Sequence, residues 1–212
     1  MLTPVIPTPI PLTPHTAPHL LLWMGDSGLA TPIAAALALL LASSSTTRRL
    51  ARIFTAAVLC AACIVFATKL GLFGWGDGID ALSFRGPSGH ATLSACVWPV
   101  VAWLVSSRAH LAVRVAAVAF GFCIALGVAY VLVAYGYHTL SETVAGTLLG
   151  GCASAIFLVA AKAACQPPAG VVVLAILAAI GWLCIQHGRP LVALENFKYA
   201  IHALVEKARS PT

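Results

Sequence analysis

Charge is what this chain has least of. Only 8% of its 212 residues are Asp, Glu, Lys or Arg, and only six of those are acids. A water-soluble domain carries roughly a quarter charged residues. With 60% hydrophobic residues and a mean hydropathy of +0.97, the shortage excludes an ordinary soluble enzyme and implies an integral membrane protein. One helical bundle uses the available length, and no separate soluble domain fits. Lys and Arg are absent from the first 18 residues, so the basic region that opens a signal peptide is missing there. A disulfide framework is excluded as well. Cys60, Cys63, Cys96, Cys123, Cys152, Cys165 and Cys184 fall almost wholly inside apolar runs, where a thiol acts as a small hydrophobe. Cys60-x-x-Cys63 has no second half with which to hold a metal.

What is present is long apolar segments with ordinary punctuation. Six of near-spanning length run roughly over 27–44, 50–72, 88–106, 110–134, 139–162 and 170–187. They predict an all-α, polytopic membrane bundle of about six transmembrane helices occupying 27–188. Alternating Thr and Pro at the start predict a Pro-rich extended arm over 1–26. At the other end, Leu194, Phe197, Ile201, Leu204, Val205 and Ala208 recur at helical spacing, which predicts an amphipathic C-terminal helix over 189–212.

Counting spans separates the charges by side. Arg48, Arg49, Arg52, Arg108, Arg114 and Lys162 share one surface, in short connections without an acid. By the positive-inside tendency that surface is cytoplasmic. Lys69, Asp77, Asp80, Arg85 and His138 then share the outer surface, as does the N-terminus. Cations of the tail (Arg189, Lys198, Lys207, Arg209) would also lie outside if the last segment spans. Either that segment is re-entrant or the tail tolerates the mismatch, and the several short loops favour the second. Gly146-x-x-x-Gly150-Gly151 permits close helix approach. Packing within the bundle is its commoner use, and the seam of a homodimer is the alternative.

The densest chemistry is Pro87-Ser88-Gly89-His90, where a polar loop runs into an apolar helix. Such a turn can aim backbone N–H groups, a hydroxyl and an imidazole at one anion, with the positive end of the helix behind them. His138 lies in another loop at the same surface, with Glu142 one helical turn on. A phosphate ester needs cations, fixed N–H donors, a nucleophile and an acid for the leaving oxygen. Lys69, Arg85, Ser88 and Gly89 are the candidate phosphate-binding residues. Alone, Lys69 would read as a lysine snorkelling to the headgroups. His138 is the candidate nucleophile, with Glu142 accepting the proton of its other ring nitrogen. His90 is left to protonate the departing alkoxide. Asp77 and Asp80 with the two histidines could in principle collect a cation, but carboxylates beside glycine are more often solvated turn residues. No metal site and no cofactor are expected.

These residues resemble the type 2 phosphatidic acid phosphatases, which share a core with vanadium haloperoxidases. That family shows Lys-x6-Arg-Pro, then Pro-Ser-Gly-His, then Ser-Arg-x5-His-x3-Asp. The second motif is complete at Pro87 to His90, and the resemblance covers about 50–162. It implies a phosphohistidine at His138, His90 as general acid, Glu142 in place of the Asp partner of His138, phosphate contacts from Ser88 and Gly89, and metal-free catalysis. Two family arginines are missing: counting from Lys69 and back from His138, Gly76-Asp77 and Val131-Leu132 stand at those positions. Arg85 is the candidate replacement for one of them. The expected function is hydrolysis of a lipid phosphate or diphosphate at the outer leaflet of a bacterial inner membrane. Polyprenyl diphosphate, phosphatidylglycerol phosphate, phosphatidic acid and lipid A phosphates are the substrate classes. A lipid phosphotransferase, or a degenerate protein that binds lipid phosphate without turnover, is the alternative. The expected partners are the lipid phosphate and membrane lipids, with no nucleic acid.

Overall fold

The computed structural model describes residues 17–75, 84–162 and 167–186. Seven helices make up this part: α1 (Ala17–Gly25), α2 (Ser27–Ala42), α3 (Arg48–Trp75), α4 (Gly89–Val105), α5 (Leu111–Ala134), α6 (Leu140–Ala161) and α7 (Ala169–Gln186). Six of them, α2 to α7, stand where the apolar segments predict, with boundaries shifted by three residues or fewer. The seventh corrects the expected arm over 1–26, because its last part, 17–25, is helical. Prolines do not recur after Pro18 in that stretch, and the following residues, His19 to Met24, can all donate to the helix ladder. Residues 1–16, the tail 189–212, and Asp77 and Asp80 lie outside the described residues.

By length and composition three of these helices can cross a membrane, within Arg48–Gly71, Leu111–Ala134 and Leu140–Ala161. A fourth span results if α1 and α2, bent by 47° at Asp26, count as one. The remaining two expected spans, α4 and α7, are apolar but shorter. The 17 residues of α4 reach about 25 Å, less than the roughly 30 Å hydrocarbon core. A short helix is tolerated there because α4 is wrapped by protein: Ala91, Ala95, Cys96, Val97, Val100 and Leu104 are all 0–1% exposed.

The outer helices are finished differently. Phe120, Leu126 and Tyr130 on α5 and Leu148, Ile156 and Val159 on α6 are each more than half exposed. Apolar faces of that extent would be a liability in water and are ordinary against lipid. The protein is therefore a membrane protein on two counts, its composition and the outward direction of its apolar surface.

Short turns at 43–47, 106–110 and 135–139 make successive helices antiparallel and sort the loops into two ends. At the cationic end, the Ser107 hydroxyl donates to the Pro167 carbonyl at 3.2 Å. The Arg114 guanidinium lies 3.5 Å over the Trp103 ring. Between the ends, Phe54 of α3 meets Phe157 of α6 edge-on at 5.5 Å. At the opposite end come together the α1–α2 junction, the end of α3, the start of α4, the α5–α6 turn and the start of α6.

Close approach of α6 to α4 depends on two glycines. A Cβ on Gly146 would stand 2.5 Å from the Ser88 carbonyl oxygen, and one on Gly150 would overlap the Thr92 carbonyl oxygen. The glycine face of α6 is thus covered by α4, which is the bundle-packing use of Gly146-x-x-x-Gly150. On α5, Gly121 does the same for the backbone at Trp98 and Pro99, which a Cβ would meet at 2.7 and 2.8 Å.

Candidate active site

Local sequence builds the α6 side of the site. Thr139-Leu140-Ser141-Glu142 is a capping box: the Thr139 hydroxyl accepts from the Glu142 N–H at 3.3 Å, and Glu142 Oε2 accepts from the Thr139 N–H at 3.2 Å. The box turns the Glu142 carboxylate back over the start of its own helix, toward His138. Nδ1 of His138 stands 2.8 Å from Oε2. An ionised carboxylate can only accept, so Nδ1 carries the proton and the Nε2 lone pair is free.

Glu142 does more than orient one ring. Its Oε1 accepts from the backbone N–H of Arg85 at 2.9 Å, and its carbonyl accepts from the N–H of Ser88 at 2.9 Å. One residue therefore pins the loop leading into α4, the start of α6 and the His138 ring. The carboxylate is only 10% exposed, and three N–H donors offset the cost of burying it.

On the α4 side, Ser88 is the N-cap and is fully buried. Its hydroxyl accepts from the Ala91 N–H at 3.5 Å, and its carbonyl takes the Thr92 N–H at 3.0 Å and the Thr92 hydroxyl at 2.8 Å. The N–H groups of Gly89 and His90 fall in the first turn, where no intrahelical carbonyl can reach them. Among the described residues, a Cβ on Gly89 would meet Val65 alone, at 3.9 Å. Gly86, at φ 97°, lets the chain turn into α4.

Electrostatics ties the rings together. Burial is the main cause that pulls the His138 pKa below the ordinary histidine value of 6.5, while the hydrogen bond and charge of Glu142 push it up. Lys69 and His90 both act on His138 as positive neighbours that disfavour its protonation. The sequence-predicted residues Lys69, His90, His138 and Glu142 therefore share one electrostatic neighbourhood. Arg85 enters through its backbone. Its side chain is exposed and makes no ion pair or hydrogen bond with another described residue.

Where the family pattern has its third-motif arginine stands Leu132, 1% exposed. It packs with Ala91 and Val128 beneath the start of α4, and Leu22 and Met24 of α1 and Tyr137 close over that cluster. The Leu132 carbonyl accepts the N–H groups of Tyr137 and His138 at 2.9 and 3.1 Å, which sets the turn that presents His138. This position supports the loop and brings no charge to it.

Sequence reasoning passed over Asp26. Its Oδ2 lies 3.6 Å from Nε2 of His90, with the two side chains 47% and 37% exposed. The available signal was an isolated acid at the edge of an apolar helix, in a chain with six acids. Thr139 was the other omission, although Thr-x-x-Glu before an apolar run is a helix-start signature. Among the described residues no group of three or more His, Cys, Asp or Glu gathers as a metal site.

The chain belongs to the PAP2 superfamily, whose model matches residues 74–165. That superfamily generally comprises phosphatases, so a phosphatase-type activity is the coarse functional assignment. Among curated proteins, the chain is similar to an "Uncharacterized 22.5 kDa protein in cps region" of Klebsiella pneumoniae. The two are 41% identical over 149 residues, covering 70% of this chain and 71% of that protein. No solved structure matches the chain.

Proposed function

We propose that the protein is a membrane lipid phosphatase that works through a phosphohistidine. The observation that carries this reading is the 2.8 Å contact of His138 Nδ1 with Glu142 Oε2, on a glutamate that also holds the Ser88 turn. Nε2 of His138 attacks phosphorus, the bond from phosphorus to the lipid oxygen breaks, and His90 donates its proton to the departing oxygen. Water then attacks phosphorus while His90 takes the water proton. The P–N bond breaks, and its electron pair returns to Nε2. Glu142 stabilises the imidazolium character that His138 acquires during transfer. Lys69 and the N–H groups at Gly89 and His90 face the phosphoryl oxygens, and the exposed Arg85 supplies further positive charge at the mouth.

The substrate is a lipid whose phosphate lies at the interface: a polyprenyl diphosphate, phosphatidylglycerol phosphate, phosphatidic acid or a lipid A phosphate. Arginines at the opposite end support a site on the outer face of a bacterial inner membrane. The test is phosphate release by purified protein in detergent across that lipid panel, with radiolabelled phosphate to trap an acid-labile phosphoenzyme. His138→Ala should abolish both release and label, and His90→Ala should slow release by at least about a hundredfold.

A second reading rests on Leu132. With an apolar residue in place of a cation, a phosphate dianion loses a charge-assisted contact worth about 1.5–3 kcal/mol. A protein that binds lipid phosphate without turnover would fit that loss. Binding of the panel lipids with no release of phosphate would favour it over hydrolysis.

A further inference from the structure

Asp26, the ion-pair partner of His90, belongs to none of the three motifs and lies outside the matched region 74–165. Several contacts bring it to the site. The Trp98 indole N–H donates to the Met24 carbonyl at 2.8 Å, fastening the end of α1 to α4. Gly25 follows, and a Cβ there would stand 2.7 Å from Val128 Cγ1, 3.0 Å from the His90 carbonyl oxygen and 3.2 Å from His90 Cβ. Only a glycine lets the chain pass this close to His90. The next residue is Asp26, whose Oδ1 caps α2 by accepting from the Gly28 N–H at 2.6 Å. That division of labour leaves Oδ2 for His90. Each imidazole of the site is thereby paired with a carboxylate: His138 with one from its own helix start, His90 with one from the α1–α2 junction.

We propose that Asp26 is a positioning residue for His90, holding Nε2 so that Nδ1 is turned to the leaving-group oxygen and giving the proton donor a fixed counter-charge. The proposal rests on the role given to His90 under Proposed function. Among the described residues, the charged and titratable groups that bear on His90 are Asp26 from the α1–α2 junction and His138 from the α5–α6 turn. Lys69 of α3 acts on His138 in the same neighbourhood, and the exposed Arg85 precedes the turn. Asp26 is the acid paired with His90, whereas Glu142 is paired with His138.

The test separates this role from helix capping, because Asn and Ser cap as well as Asp does. Asp26→Asn and Asp26→Ser, assayed on phosphatidic acid and on farnesyl diphosphate in detergent micelles, should each lower kcat about tenfold with KM little changed, a fraction of the general-acid contribution. The basic limb of the rate profile should move to lower pH, because a carboxylate beside an imidazolium favours its charged form and the substitution removes it. Asp26→Glu should recover most of the turnover. In a His90→Ala background Asp26→Asn should cost nothing further, since a residue acting through His90 has nothing left to act on. Wild-type kcat and pH profile in Asp26→Asn or Asp26→Ser, or an equal loss with and without His90, would overturn the proposal while leaving the phosphatase reading intact. Full turnover in His90→Ala, or no phosphate release by the wild-type protein from any panel lipid, would overturn both.

Discussion

Replacing Glu142 by glutamine exchanges one carboxylate oxygen for an NH2 group, and the surrounding geometry makes the consequence calculable. Three donors converge on the native carboxylate: the N–H groups of Arg85 and Thr139 and Nδ1–H of His138, at 2.9, 3.2 and 2.8 Å. A carboxamide has one oxygen. If that oxygen faces Arg85, the NH2 faces His138 and favours the tautomer with the proton on Nε2, which occupies the attacking lone pair. If it faces His138, the Arg85 N–H loses its acceptor and the loop entering α4 loosens. Each hydrogen bond to a charged group is worth about 1.5–3 kcal/mol. Expressed in the transition state, one such loss is roughly a 10- to 150-fold fall in rate. Folding should suffer less, by about 1–2 kcal/mol, since one acceptor oxygen remains. The assay is steady-state phosphate release alongside a thermal midpoint in the same detergent. A second readout fixes the sign. The Glu142 carboxylate raises the His138 pKa, so neutralising it lets that pKa fall, and the acid limb of kcat/KM should move to lower pH. Wild-type kcat in Glu142→Gln, or an acid limb that moves upward, would refute the reasoning.

Three further outcomes are expected. In the wild-type protein the nucleophile must be neutral, and burial holds the His138 pKa below 6.5. The acid limb of kcat/KM should therefore be half-maximal below pH 6.5, with activity lost only as pH falls through that depressed value. Gly150→Ala drives a methyl against the Thr92 carbonyl and Gly146→Ala drives one against the Ser88 carbonyl. Each should cost about 1–3 kcal/mol of stability by overpacking, read as a lower thermal midpoint, and Gly146→Ala should also lower kcat because Ser88 belongs to the anion turn. Arg85→Ala keeps the backbone bond to Glu142 while removing an exposed charge. It should raise KM severalfold with kcat nearly unchanged, and the effect should shrink in high salt.

The helices were legible because hydrophobic runs and their punctuation are local properties. The runs ending near Ser43, Ser106 and Lys162 became helix ends within three residues. α1 was missed because prolines dominate the composition of the first 18 residues while the helix begins as they end. His138 and Glu142 were legible as a pair from their four-residue offset, although His138 precedes the N-cap and it is the capping box, not a shared helix face, that turns Glu142 back to it. Span number was less legible. Apolar length alone cannot distinguish a helix that faces lipid from α4, which is short and covered by its neighbours.

The amino-acid sequence by itself determined a helical membrane protein, the ends of most helices, the Pro87 to His90 turn and the His138–Glu142 contact. All of these depend on residues a few positions apart. Only the tertiary structure decided that Gly25 admits Asp26 to His90, that Glu142 accepts from Arg85 across 57 positions of chain, and that Leu132 lies under the site. Those relations depend on how closely α1, α4, α5 and α6 approach one another. Approach is set by the fit of side chains across helices, which no local pattern along the chain encodes.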